Sequence, residues 1–181
     1  MRVAVIGTSG AGKSVLARRL AARLDLPYIE LDAINWQPGW RDLLRHDRDE
    51  FVRRVGAAVA AEEWVLDGNY GTVRDLVWRR ATHLVWLDYR RAVIMRRVIA
   101  RSLVRALLRT ELWAGNRERW THLLRGSHPI RFAWNNWARR RQDTADWLAQ
   151  PDYVHLVVLH LRHPHEADGA VETLVATTHA G

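Results

Sequence analysis

Gly7-Thr8-Ser9-Gly10-Ala11-Gly12-Lys13-Ser14 sets three glycines ahead of a lysine and a serine. Those residue types at that spacing suit one kind of chemistry. Glycines let the backbone wrap tightly with its N–H groups turned inward, and such a concave row of donors holds a phosphate. A lysine placed after it brings a slim charge on a flexible stem to the outer phosphates of a nucleotide. A serine hydroxyl next in line is a ligand for Mg²⁺ bridging the same phosphates. Lys13 is the only lysine of a chain with 28 lysines and arginines in total. A planar guanidinium is wider and harder to seat in a tight loop, which explains why this position departs from the arginine habit. The segment from Gly7 to Val15 is therefore read as the binding site of ATP with Mg²⁺, and Lys13 as a residue acting on the transferred phosphoryl group.

Carboxylates close several apolar runs. Asp32 follows Pro27-Tyr-Ile-Glu-Leu31, Asp67 follows Trp64-Val-Leu66, and Asp88 follows His83-Leu-Val-Trp-Leu87. Asp67 is the favoured partner of Ser14 for the metal, because Gly68-Asn69 leaves backbone room beside it; Asp88 is the rival. Asp32 is placed to orient an acceptor hydroxyl or take its proton, and Trp36 and Trp40 are placed to wall a small acceptor. Arg97 and Arg101 lie four apart and share one helix face, where they can neutralise charge on the moving phosphoryl group. Arg139-Arg140-Arg141 offer the same service from further along. His160, His163 and His165 cluster around Pro164, but no cysteine or compact carboxylate set joins them, so a solvated loop is the reading there.

The elements that must position these residues follow from periodicity. Short apolar runs at 2–6, 27–31, 64–67, 83–88 and 153–159 read as five strands. Helical spacing appears at 12–24, 48–61, 91–110, 129–149 and 165–177, and residues 36–47 read as a loop or short helix. Strands that are apolar throughout and alternate with helices imply a parallel sheet covered on both faces. The whole chain, 1–181, reads as one three-layer α/β/α domain, with 102–142 as a helical, lid-like insertion between strands four and five.

Composition bounds the rest. The absence of cysteine excludes disulfides and thiolate metal sites. No run of eighteen apolar residues or signal-like segment occurs, so neither a membrane span nor secretion is expected, and a cytoplasmic location is the simplest reading. The net charge of +8 attracts polyanions, which keeps nucleic acid as a second partner class, although no nucleic-acid motif is present.

The loop has the tighter GxxGxGK[ST] form, and in this it resembles the small-molecule and nucleoside-monophosphate kinases. "WVLDGNY" at 64–70 is similar to the adenylate kinase segment after the third strand, and "HLVWLDYRRAVIMRRVIAR" at 83–101 to its fourth strand and following RxxxR helix. "IELDAINWQPGW", "VLDGNYGTVRDLVW" and "ELWAGNRE" resemble the bacterial adenylate kinase-related, or DNA topology modulation, proteins. The resemblance implies a P-loop NTPase fold with strand order 2-3-1-4-5, a lid at 102–142, and an acceptor site that includes Gly68, Asn69 and Tyr70. Adenylate kinases carry Pro-Arg where this chain has Asn69-Tyr70, and their arginine grips the acceptor's phosphate; the next arginine here is Arg74. Shikimate kinases carry Asp-x-Asp where this chain has Glu30-Leu31-Asp32. The resemblance thus implies an ATP-dependent kinase for a nucleotide or another small acceptor, the alternative being an NTP-binding protein or ATPase that interacts with DNA. Acceptor identity, ATP against GTP, and oligomeric state stay open at the level of sequence.

Overall fold

The apolar runs of the sequence give the strands of one sheet, buried at its centre in β1, β5 and β6 and more open at its edges, and the amphipathic stretches give the helices laid on it. The computed structural model describes residues 1–108, 111–116 and 129–179. In chain order it contains β1 (Arg2–Gly7), α1 (Lys13–Leu24), β2 (Tyr28–Glu30), α2 (Leu31–Asn35), β3 (Trp36–Gln37), β4 (Arg41–Asp42), α3 (Leu43–His46), α4 (Arg48–Val59), β5 (Trp64–Asp67), α5 (Arg74–Trp78), β6 (His83–Leu87), α6 (Arg91–Leu108), α7 (Pro129–Leu148), β7 (Val157–Leu161) and α8 (Glu166–His179).

Five strands form one parallel sheet in the order β2-β5-β1-β6-β7, which is 2-3-1-4-5 when only its own strands are counted. β1 is central: Val5 pairs with Asp67 on one side and Val85 on the other, and Gly7 pairs with Leu87. The register brings the glycine-rich turn after β1 beside the carboxyl ends of β5 and β6, where ligands of such sheets sit.

Successive β1 side chains point to opposite faces. Val3 and Val5 pack with Leu16 and Leu20 of α1, Ile94 and Val98 of α6, and Val171 and Leu174 of α8. Ala4 and Ile6 pack on the other face with Phe51, Val55 and Val59 of α4 and Val77 and Trp78 of α5. Three layers result. Burying each of these large aliphatic or aromatic side chains contributes about 1.5–3 kcal/mol.

Asp47 caps α4 as its position implies, its carboxylate accepting the Glu50 N–H at 3.1 Å. Elsewhere the chain departs from the periodicity. The apolar run at 153–159 is divided: Tyr153 is buried and donates its hydroxyl to Asp75 at 2.6 Å, Val154 is 86% exposed, and the strand begins only at Val157. Residues 36–47 form a small antiparallel hairpin, β3 with β4, and then α3, which Asp42 caps through the Arg45 N–H. α2 and α5 were not apparent from spacing, being five residues each.

Within the expected insertion at 102–142, α6 and α7 pack against one another and residues 111–116 reach back to β3. Residues 109–110 and 117–128 of that insertion lie outside the described residues. No helix among the described residues is long and apolar enough to cross a membrane.

Candidate active site

The turn after β1 closes through the Ala11 N–H, which donates to the Thr8 carbonyl at 3.1 Å. Gly10 sits at φ +87°, and a methyl group there would lie 2.2 Å from Cγ2 of Val98, so α6 is packed directly onto the loop. Gly12, at φ +96°, precedes α1, and no side chain caps that helix. The start of α1 is thus left without a side-chain partner and carries positive partial charge, as an anion site requires. Lys13 opens α1 and rests its ammonium on the Thr8 carbonyl at 3.3 Å. Burial lowers its pKa; Asp32 and Asp67 oppose that, while Arg101 and Arg140 add to it.

Ser14 donates its hydroxyl to Oδ2 of Asp67 at 2.5 Å. The Tyr28 hydroxyl donates to Oδ1 of the same carboxylate at 3.0 Å. Asp67 is only 3% exposed. Burial raises its pKa, and the bonds from Ser14 and Tyr28 and the charge of Lys13 pull the other way. One serine oxygen and one carboxylate, set beside an uncapped helix start and a lysine, fit Mg²⁺ bound together with nucleotide phosphates: the metal prefers oxygen ligands and keeps several waters. Gly68, at φ +140°, lets Leu31 come within 2.6 Å of where a side chain would begin, which brings α2 against the end of β5.

α2 carries Asp32. Its Oδ1 accepts the Tyr70 hydroxyl at 2.6 Å. Burial and the Asp32 charge together push the Tyr70 phenol up, so it stays a donor. Buried Asn35 accepts the Leu44 N–H at 2.9 Å and ties α3 to α2.

The arginines separate by role. Arg97 donates to the Ala11 carbonyl at 2.7 Å and Arg101 to the Ser9 hydroxyl at 3.2 Å, so both grip the glycine-rich loop from α6. Of the α7 trio, Arg139 bonds to Asn136 on the surface and Arg141 to Asp88 at 2.9 Å. Arg140 is turned into a recess with Gly7, Thr8 and Asn69, near enough to Lys13 for the two positive charges to oppose each other, and burial weighs against its own charge. Asp88 is committed elsewhere: the Oδ2 that takes Arg141 also meets His160 Nε2 at 2.9 Å. His160 in turn stacks flat on Trp86, and His163 stacks on His165. Among the described residues no three histidine, aspartate or glutamate side chains form a metal-holding group.

A cavity of about 740 Å³ opens on this constellation. Ser9, Gly10, Ala11, Gly12, Lys13, Ser14 and Val15 line it together with Asp32, Arg97 and Arg101. Val15 is 73% exposed at its edge, outside the core. Gly7, Thr8 and Asn69 line a separate small recess, shared with Asp88 and Arg140. Trp36 and Trp40 do not wall the cavity: they pack edge-on against each other, 5.6 Å between ring centres. Buried Asn116 accepts the Trp40 backbone N–H at 2.8 Å and donates to the Gln37 carbonyl at 2.9 Å. This clip holds residues 111–116 on the hairpin and presents Trp113 to the cavity instead. Arg74 does not face the cavity either. Its guanidinium lies 3.3 Å over the ring of Trp147 and pairs with Asp75.

Sequence reasoning missed Tyr28, Asn35, Asn116 and Trp113. Only Trp113-Ala-Gly-Asn116, a polar and aromatic stretch inside an arginine-rich region, carried any signal.

No protein-family model matches the chain, and no curated protein matches it in sequence. Solved structures do match its fold. A shikimate kinase from Bacteroides thetaiotaomicron superposes with a TM-score of 0.59 at 16% identity, over 99% of this chain and 98% of that one. A sugar kinase from Janibacter sp. HTCC2649 gives 0.52 at 21% identity, over 97% and 92%. A gluconokinase from Sinorhizobium meliloti 1021 gives 0.51 at 18% identity, over 98% and 95%. The chain therefore has the fold of the P-loop small-molecule kinases, a five-stranded parallel sheet flanked by helices.

Proposed function

We propose that this protein is an ATP-dependent kinase that phosphorylates a hydroxyl group of a small-molecule acceptor. One observation carries the reading: Lys13 and the Asp32 carboxylate open on the same cavity, whose 740 Å³ is roomy enough for a nucleotide and a small acceptor together. The acceptor oxygen forms a bond to the γ-phosphorus, the bond from that phosphorus to the β-bridging oxygen breaks, and ADP leaves. Asp32, held by Tyr70, orients the hydroxyl and takes its proton. Lys13 and the backbone donors from Ser9 to Ser14 stabilise charge on the moving group. Ser14 and Asp67 would hold Mg²⁺, which when bound neutralises the β- and γ-phosphate oxygens. Arg97 and Arg101 hold the loop in shape, and Arg140 adds positive charge from the insertion, which we read as the lid.

Two facts favour a hydroxyl over a nucleotide's phosphate as acceptor. Arg74 is stacked on Trp147 and so cannot grip an acceptor phosphate without leaving that stack. The three solved structures reported above are named as a shikimate kinase, a sugar kinase and a gluconokinase. Membership of the adenylate kinase-related group, which rests on the motifs of the sequence, and action in the cytoplasm, which rests on its composition, belong to the same proposal. The net charge of +8 is what favours the second reading, a nucleotide-binding protein acting on DNA; such binding would fall steeply with salt and is tested by titrating duplex and single-stranded DNA at two salt concentrations.

The kinase reading is tested by incubating the protein with Mg-ATP and either hydroxylated metabolites or nucleoside monophosphates, with products followed by phosphorus NMR. A phosphomonoester from a hydroxylated acceptor is the expected product. A nucleoside diphosphate from a monophosphate acceptor would overturn the choice of hydroxyl.

A further inference from the structure

We propose that Tyr28 is a positioning residue of the metal–phosphate site, its phenol fixing the Asp67 carboxylate so that the opposite oxygen stays turned to Ser14. This rests on the reading of Ser14 and Asp67 as the Mg²⁺ site. The two oxygens of Asp67 have different partners, Tyr28 on Oδ1 at 3.0 Å and Ser14 on Oδ2 at 2.5 Å. A carboxylate pinned on one side only can rotate about its Cβ–Cγ bond, since that torsion is broad. Pinned on both, it keeps one oxygen for the phenol and one for the serine and whatever the serine binds.

The sheet register makes this placement possible. Glu30 pairs with Asp67 across β2 and β5, and Tyr28, two residues earlier, points to the same face. A tyrosine is long enough to reach diagonally to the end of the neighbouring strand. The phenol is itself supported. Arg18 of α1 lies over the Tyr28 ring at 5.5 Å and bonds to Glu30 at 3.1 Å. That ion pair sets a positive charge against Glu30, the direct neighbour of Asp67 in register. Glu30, Arg18 and Tyr28 thus form a buttress for a buried carboxylate, and none of the three needs to touch the metal.

The effect is read in binding. Affinity for adenosine β,γ-imidotriphosphate is measured in EDTA and then with rising Mg²⁺, for wild type, Tyr28→Phe and Tyr153→Phe. Tyr153→Phe is the control for losing a phenol–carboxylate bond away from the site, since Tyr153 donates to Asp75 at 2.6 Å. In Tyr28→Phe the Mg²⁺ concentration for half-maximal binding should rise about tenfold, the cost typical of a residue that orients a metal ligand. Metal-free affinity should stay as in wild type, and Tyr153→Phe should match wild type in both. An unchanged Mg²⁺ requirement in Tyr28→Phe would overturn the role of Tyr28 and leave the site reading intact. Equal weakening with and without Mg²⁺ would overturn it too, as a merely structural effect. Absence of Mg²⁺-promoted binding in wild type would overturn the site reading and this inference with it.

Discussion

Gly10→Ala tests whether α6 clamps the phosphate loop. The new methyl would lie 2.2 Å from Cγ2 of Val98 and 3.2 Å from the Ile94 carbonyl. Ordinary contact begins near 3.4 Å, so the helix or the loop must retreat by at least about 1.2 Å. Val98 cannot simply turn away, because it is fully buried and a β-branched residue in a helix has one favoured rotamer. The φ of +87° adds strain for any residue with a Cβ, about 1–2 kcal/mol. Overpacking adds about 1–3 kcal/mol. The sum, about 2–5 kcal/mol, should lower Tm by about 4–20 °C for a domain of this size. The retreat also breaks the Arg97 bond to the Ala11 carbonyl and the Arg101 bond to Ser9, so nucleotide affinity should fall with stability. Thermal unfolding by circular dichroism and binding of a non-hydrolysable ATP analogue read the two effects. Adding Val98→Ala removes the colliding methyl, so the double variant should lose less than the sum of the single losses, by about 1–3 kcal/mol. Strict additivity, or a Gly10→Ala protein that melts and binds like wild type, would refute the clamp.

Other consequences can be checked in parallel. Asp32→Asn should lower acceptor-dependent kcat by about 10²–10⁴ while acceptor-free ATP hydrolysis changes little; steady-state kinetics with and without acceptor separate the two. Arg140→Ala should lower kcat about a hundredfold and Arg139→Ala should not, because only Arg140 turns toward Lys13. Arg74→Gln should cost about 1–2 kcal/mol of stability through the lost stack on Trp147, with the acceptor KM unchanged. Burial holds the Lys13 pKa below the ordinary 10.5, and only the charged form binds phosphate. Nucleotide affinity should therefore decline as pH rises through that depressed value, with proton uptake on binding in calorimetry, and Asp32→Asn should move the onset to lower pH by removing the charge that most opposes the shift.

What could be read from the sequence was what is local. The glycine-rich loop announces itself because the residues that wrap a phosphate are consecutive. Asp32 and Asp67 stand out because each ends an apolar run, and the end of a buried strand is where a parallel sheet offers its ligands. The contacts that complete the site are not local. Tyr28 reaches Asp67 only through the register of two strands 39 residues apart at that bond. Asn116 takes the Trp40 backbone N–H across 76 residues and clips residues 111–116 to the hairpin, and Trp36 and Trp40 pack edge-on against each other although their place after Asp32 suggested an acceptor wall. Among three consecutive arginines, helix phase decides that Arg141 meets Asp88 and Arg140 turns inward, and a run of identical residues carries no phase of its own. The start of β7 is set in a similar way: Tyr153 and Val157 belong to one apolar run, but Asp75 and Trp78 hold Tyr153 outside the strand.

The measurement that bears most directly on the account is ADP release from Mg-ATP across a panel of small hydroxylated acceptors, with Lys13→Ala alongside. The rate should jump with one class of hydroxylated acceptor and vanish in a folded Lys13→Ala protein. A Lys13→Ala protein that turns over like wild type, or a slow rate indifferent to every acceptor, would contradict the kinase reading.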